Sequence, residues 1–250
     1  MARHAAGDAR IVATRRVDFH VGRFSSWRGI DRIIAISEAV KGVLAADGIP
    51  ATEVTVVPDG IDPVEIKAAA SQVYDVRKRL ELPAGTPLAV NIAALVAHKD
   101  QRTLIRAAGH ARAARPGLHW VIAGEGDLRG SLTAEIARLG LADRVHLLGY
   151  VEAADALIRE SDVFVMSSKE EGLGSVILNA LALGKPVVAT AAGGIPEILP
   201  AGALVPVGDA EALARKVVVA LDHPAPIPLP PRFTASAMAQ GVLAVYRSLL

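Results

Sequence analysis

The sequence contains no cysteine, which excludes disulfide bonds and thiolate metal sites outright. Its seven histidines are scattered, with no HExxH or similar ligand spacing, so no metal is expected. Charge of either sign is not in excess: 27 Lys and Arg stand against 26 Asp and Glu, and no whole-chain field calls for nucleic acid as a partner. No uninterrupted apolar run reaches membrane-spanning length, and residues 1–10 (MARHAAGDAR) lack the apolar core of a secretion signal. These absences fit a cytoplasmic protein. A dinucleotide oxidoreductase is disfavoured, because no GxGxxG follows a strand with an acidic residue downstream.

What is present is a core. Of the 250 residues, 52% are hydrophobic and 21% charged, enough chain for one large domain or two small ones. Charge is uneven locally: residues 1–32 carry seven arginines and three aspartates, a local excess of four positive charges. The first reading of that stretch is a solvated surface; the sharper one is peripheral contact with anionic lipid at the inner membrane face, or with phosphate.

Short apolar runs alternate with helix-period stretches. Strands are expected at 11–14, 33–36, 54–57, 88–92, 119–123, 145–148, 163–166, 186–190 and 203–205. Helices are expected near 38–46, 64–80, 100–114, 127–139, 152–160, 174–183 and 209–221. Near-continuous apolar strands such as PLAVNIAAL and HWVIAG suit a sheet covered on both faces. The alternation predicts an α/β fold with a doubly wound parallel sheet and right-handed crossovers. Pro58-Asp59-Gly60 reads as a hinge or a domain edge. Residues 222–231 hold five prolines and read as a stiff connector, after which 233–250 is helical again.

Doubly wound sheets bind ligands beyond the carboxyl ends of their strands, so the strand-to-helix turns are where chemistry is sought. Four stand out. Residues 93–99 (AALVAHK) end in Lys99, which can balance a diphosphate or simply begin a helix in solvent. Gly124-Glu125-Gly126 is a weak GxG, better read as a tight turn. Residues 167–174 (SSKEEGLG) lead into a helix whose free amides and dipole attract phosphate. Glu171 is unfavourable there unless it meets sugar hydroxyls. Residues 191–197 (AAGGIPE) place Gly193 and Gly194 where backbone can approach a ligand, with Pro196 suited to a first helical turn.

The phrases IIAISEAVKGVL (33–44), VTVVPDGID (54–62), LVAHKDQRTLIRAA (95–108), VIAGEGDLRGSL (121–132), SDVFVMSSKEEGLGSVILNALALGKPVVAT (161–190) and GGIPE (193–197) resemble, in this order, the retaining GT-B glycosyltransferases of family 4. FTASAMAQGVLAVYRSLL at 233–250 is similar to the family's closing helix. The resemblance implies a Rossmann-like donor domain over 59–221 and a truncated N-terminal Rossmann-like remnant over 1–58. It also implies a connector over 222–231 and a C-terminal helix, 232–250, packing back toward the N-terminal part. It implies transfer of a hexose from a UDP- or GDP-linked donor to a glycan or lipid-linked acceptor, with no metal or other cofactor. Lys99 and Glu171 would then be catalytic, Lys99 on the diphosphate and Glu171 on sugar hydroxyls. Gly172, Leu173 and Gly174 would present backbone to phosphate and sugar, with Gly124, Gly126, Gly193 and Gly194 lining the donor.

The sequence departs from the family at three points. Ala94 stands where the family has an arginine, with Arg102 as its expected substitute. Asn179, eight residues after Glu171, replaces a ribose-binding glutamate and should hold ribose more weakly. The acceptor-side domain is represented only by its tail, and neither His4 nor His20 suits the family's catalytic histidine. Two readings therefore remain open. One is a glycosyltransferase incomplete as it stands. The other is a non-catalytic nucleotide-sugar-binding or assembly protein, completed by a partner or by a second copy through an exposed sheet edge.

Overall fold

The computed structural model describes residues 9–20, 27 and 29–250. Three of the seven arginines of the basic stretch, at positions 3, 23 and 28, lie outside the described residues, as does His4. Among the described residues no helix is long and apolar enough to cross a membrane.

Two parallel sheets organise the chain. The first is β1 (Val12–Arg15), β2 (Arg32–Ala35) and β3 (Val54–Val56), in that order. Helix α1 (Glu38–Ala46) follows β2 and starts where Ser37 accepts a hydrogen bond from the Val40 amide, the N-cap geometry that serine favours. The second sheet contains β4 (Leu88–Ile92), β5 (His119–Ala123), β6 (Val145–Gly149), β7 (Val163–Met166), β8 (Val187–Thr190) and β9 (Leu204–Val205). Its spatial order is β6-β5-β4-β7-β8-β9, all parallel, so the winding reverses between β4 and β7. All residues of β5, β7 and β8 are buried, as two covered faces demand.

In chain order α2 (Pro63–Ala70) and α3 (Val76–Arg79) come between the two sheets, Val76 packing on Leu88 and Val90; with the second sheet go α4 (Gln101–Ala111), α5 (Arg129–Arg138), α6 (Ala154–Glu160), α7 (Ser175–Ala182), the one-turn α8 (Ile195–Ile198) and α9 (Ala210–Asp222). The single helix expected over 64–80 is broken in two. Asp62 caps the first piece ahead of Pro63, Ser71 ends it, and Asp75 accepts from the Lys78 amide to restart the chain as α3.

The two sheets share one buried cluster. Ile33, Ala35, Ile36, Val40 and Leu44 from the first half join Leu173, Ile177 and Ile195 from the second. The last helix, α10 (Ala235–Arg247), packs Val245 against Ile34 and Val57 of the first half. The chain crosses between halves twice in parallel: Ile61 donates its amide to the Phe233 carbonyl, and Ala235 donates to the Ile61 carbonyl.

Candidate functional site

At the reversal point the backbone ladder between β4 and β7 pairs Ala89 with Val163 and Val90 with Phe164, then stops, although both strands run on. The buried Asn91 fills the gap, its side-chain amide donating to the Val165 carbonyl at 2.8 Å. The strands thus diverge at their carboxyl ends and open a crevice, the place where doubly wound sheets receive ligands.

The loops after β4 and β7 are tied to each other across it. Lys169 donates its amide to the His98 carbonyl at 2.7 Å, and Ser167 Oγ donates to the Lys99 carbonyl at 3.1 Å. This clamp brings Lys99 and Glu171 together. Their side chains form an ion pair at 2.5 Å, mostly buried, and Ser168 Oγ donates to the same carboxylate oxygen at 3.3 Å. Pairing removes the penalty of an acid beside a phosphate-attracting turn, so Glu171 is tolerated there because Lys99 neutralises it.

Gly172, Leu173 and Gly174 follow at once and lead into α7, whose N-cap, Gly174, offers no side chain to satisfy the first turn. The turn is walled in by backbone. A Cβ on Gly193, which has φ +48°, would sit 1.8 Å from the Glu171 carbonyl oxygen, and the Gly194 amide donates to that oxygen at 2.9 Å. Gly193 is thus required for the 191–194 loop to abut the turn. On the other side, Gly172 lies against the Arg16 carbonyl oxygen, 2.4 Å from where a Cβ would be.

Beyond the turn, a cavity of about 420 Å³ is lined by Ala93, Ala94, Gly124, Glu125, Tyr150 and Glu152, among others. That is large enough for a nucleoside. Ala94 contributes no cation to this lining, whose charged members are Glu125 and Glu152. Arg102, expected to compensate, is exposed on α4 and does not line this cavity. Gly124 does line it; Gly126 instead backs onto Leu95, whose amide donates to the Glu125 carbonyl at 2.9 Å. Asn179 is engaged elsewhere: its amide donates to Asp155 at 2.7 Å, at the start of α6.

Several groups at this site carry no local sequence signal of their role. Ser37 Oγ donates to the Gly172 carbonyl at 2.6 Å while capping α1. Glu197, the last residue of GGIPE, accepts from the amides of Glu38 and Ala39 at 3.0 Å each, so its carboxylate seals the N-terminus of α1. Asp59, buried in the expected hinge, accepts from Ser175 Oγ at 2.7 Å and from the Arg16 guanidinium at 2.6 Å. Tyr150 is largely exposed at the cavity mouth.

A family model, Glycosyl transferases group 1, matches residues 74–238. The 2-deoxystreptamine glucosyltransferase of Streptomyces kanamyceticus is 31% identical over 203 residues, covering 78% of this chain and 52% of that protein. The lipopolysaccharide core biosynthesis glycosyltransferase LpsE of Rhizobium meliloti is 35% identical over 144 residues, covering 56% of this chain and 41% of that one. The chain spans about half the length of the curated relatives it matches. Among solved structures, HepE of Anabaena in complex with UDP and glucose superposes with a TM-score of 0.82 at 23% identity, covering 96% of this chain and 72% of that one, a likeness of fold. Sucrose-phosphate synthase of Thermosynechococcus elongatus gives 0.69 at 27% identity, over 88% and 58%. The α/β architecture of GT-B type expected from the motifs is the one observed.

Proposed function

Since the chain belongs to the glycosyl transferases group 1 family, we propose that its crevice binds a UDP- or GDP-linked hexose and serves retaining transfer of that hexose to an acceptor without a metal. The observation that carries this reading is the Lys99–Glu171 pair beside the Gly172–Gly174 turn at the reversal point of the second sheet. The diphosphate would lie against the turn, where the uncapped amides and dipole of α7 and the Lys99 ammonium meet negative charge. As the glycosidic bond breaks, charge accumulates on the departing nucleoside diphosphate, and these fixed groups stabilise it without reorganising. Glu171 would accept hydrogen bonds from sugar hydroxyls, and the nucleoside would occupy the cavity beside Tyr150. In support, HepE, of like fold, was solved with UDP and with glucose.

The test is thermal unfolding of the chain with UDP, GDP and their hexose conjugates at millimolar concentration. A rise in Tm with one nucleoside diphosphate supports the reading; no shift with any of them contradicts it.

The hydrogen bond from Asn179 to Asp155 favours a second reading, in which the chain binds the donor without transferring it, since the family's ribose-binding carboxylate is absent and its replacement is occupied. Donor binding without sugar release or transfer, in the presence of acceptors used by the relatives, would select that reading.

A further inference from the structure

The segment following β1 runs along the rim of the proposed donor site and touches it at three points. The Arg16 carbonyl rests on the α-carbon of Gly172. The Arg16 guanidinium meets the Asp59 carboxylate, which also holds Ser175, the first residue of α7. The Phe19 ring stands edge-on to the His98 ring, with centroids 5.2 Å apart, next to Lys99. Arg16 is therefore placed between the two ends of the phosphate-attracting turn.

The charges around that turn are arranged in pairs. Glu171 faces Lys99 on one side, and Asp59 faces Arg16 on the other. The members differ in exposure: the Asp59 side chain is 9% exposed and the Arg16 side chain 61%. Among the described residues this guanidinium makes one side-chain hydrogen bond, so most of its five N–H donors face outward. A buried carboxylate holds an exposed fork of donors at a helix N-terminus, while Ala94 supplies no cation to the cavity that it lines.

We infer that Arg16 supplies the second cation of the donor site, gripping the terminal phosphate of a nucleoside diphosphate while Asp59 positions it. This rests on the donor-binding reading and adds that the first half of the chain contributes a ligand-contacting residue. A planar guanidinium can bridge Asp59 and two phosphate oxygens at once, which a lysine cannot do.

Isothermal titration of the full chain with UDP and UMP, and with GDP and GMP, tests it. Arg16→Ala is expected to weaken diphosphate binding ten- to hundredfold and to leave monophosphate binding within twofold. Arg16→Lys should keep part of the affinity, and decides the matter should the alanine variant lose its native melting transition. Wild-type failure to bind either diphosphate overturns the donor-binding reading itself. Wild-type binding that Arg16→Ala and Arg16→Lys leave unchanged overturns the inference alone. Equal losses for diphosphate and monophosphate also overturn it, because a residue that only braces the turn acts on both.

Discussion

At the carboxyl end of the second sheet, glycine, alanine and serine recur in the loops, and Lys99 and Lys169 are paired with carboxylates near a helix that has no side-chain cap. At the amino end, charged side chains instead lock loops onto the starts of strands. Arg77, largely buried, donates to the Thr86 and Glu160 carbonyls at 2.9 and 3.0 Å and to Asp162 at 2.8 Å; the same Asp162 oxygen accepts the Leu88 amide at 2.8 Å. Arg144 donates to the Pro116 carbonyl at 2.9 Å, and His119 meets His146 at 2.9 Å under stacked rings. One end spends its polar groups on closing the fold. The other keeps donors and acceptors beside open space, which stabilises the fold less than it could and suits an anionic ligand.

That contrast predicts that substitutions at one end change ligand binding and those at the other change melting. The largest effect is expected for Lys99→Ala. It removes a charge-assisted contact to phosphate and leaves the Glu171 carboxylate unpaired, so nucleoside-diphosphate binding should weaken about 100-fold by titration calorimetry. Arg77→Met should lower stability by about 2 kcal/mol, or roughly 4–8 °C in Tm, because Asp162 and two carbonyls lose a shared partner; ligand affinity should not change. A loss of affinity in that variant would break the contrast.

Acid should act on the amino end first. Burial, then the neighbouring His146 and Arg144, push the His119 pKa down from 6.5 to about 4, against a smaller opposing pull from Asp143. Above pH 6.5 the imidazole is neutral whether folded or unfolded. Between about 6.5 and 4 the unfolded chain takes up a proton that the folded one refuses, so stability falls as pH drops through that window. His119→Gln should flatten that part of the Tm-versus-pH curve by a few degrees. The smallest effect belongs to Tyr150→Ala, which removes a flat aromatic surface at the cavity mouth. Nucleoside-diphosphate affinity should fall about fivefold, in line with roughly 1 kcal/mol for a stacking contact.

The strands β4, β5 and β7 were legible to the residue, because a strand buried on both faces must be an apolar run with polar ends. The break at 71–75 was not read, although its signal is local: Asp75 caps the second piece by accepting from the Lys78 amide three residues on. Lys99 and Glu171 could be singled out in the sequence because each lies in the loop after a strand of the second sheet and within a phrase that resembles the family. Ser37, Asp59 and Arg16 could not, because their partners at the turn lie far along the chain: 135 residues separate Ser37 from Gly172, 116 separate Asp59 from Ser175, and 43 separate Arg16 from Asp59. No local period encodes such pairs. The same holds for Asn179, whose replacement of a glutamate was readable but whose hydrogen bond to Asp155 was not.

A crystal structure of the chain grown with UDP or GDP tests the central claim most directly. The account predicts the diphosphate against Gly172–Gly174 within hydrogen-bonding reach of Lys99, and the base in the cavity beside Tyr150. A nucleotide bound at the amino end of the sheet, or a crevice unchanged at saturating ligand, would contradict it.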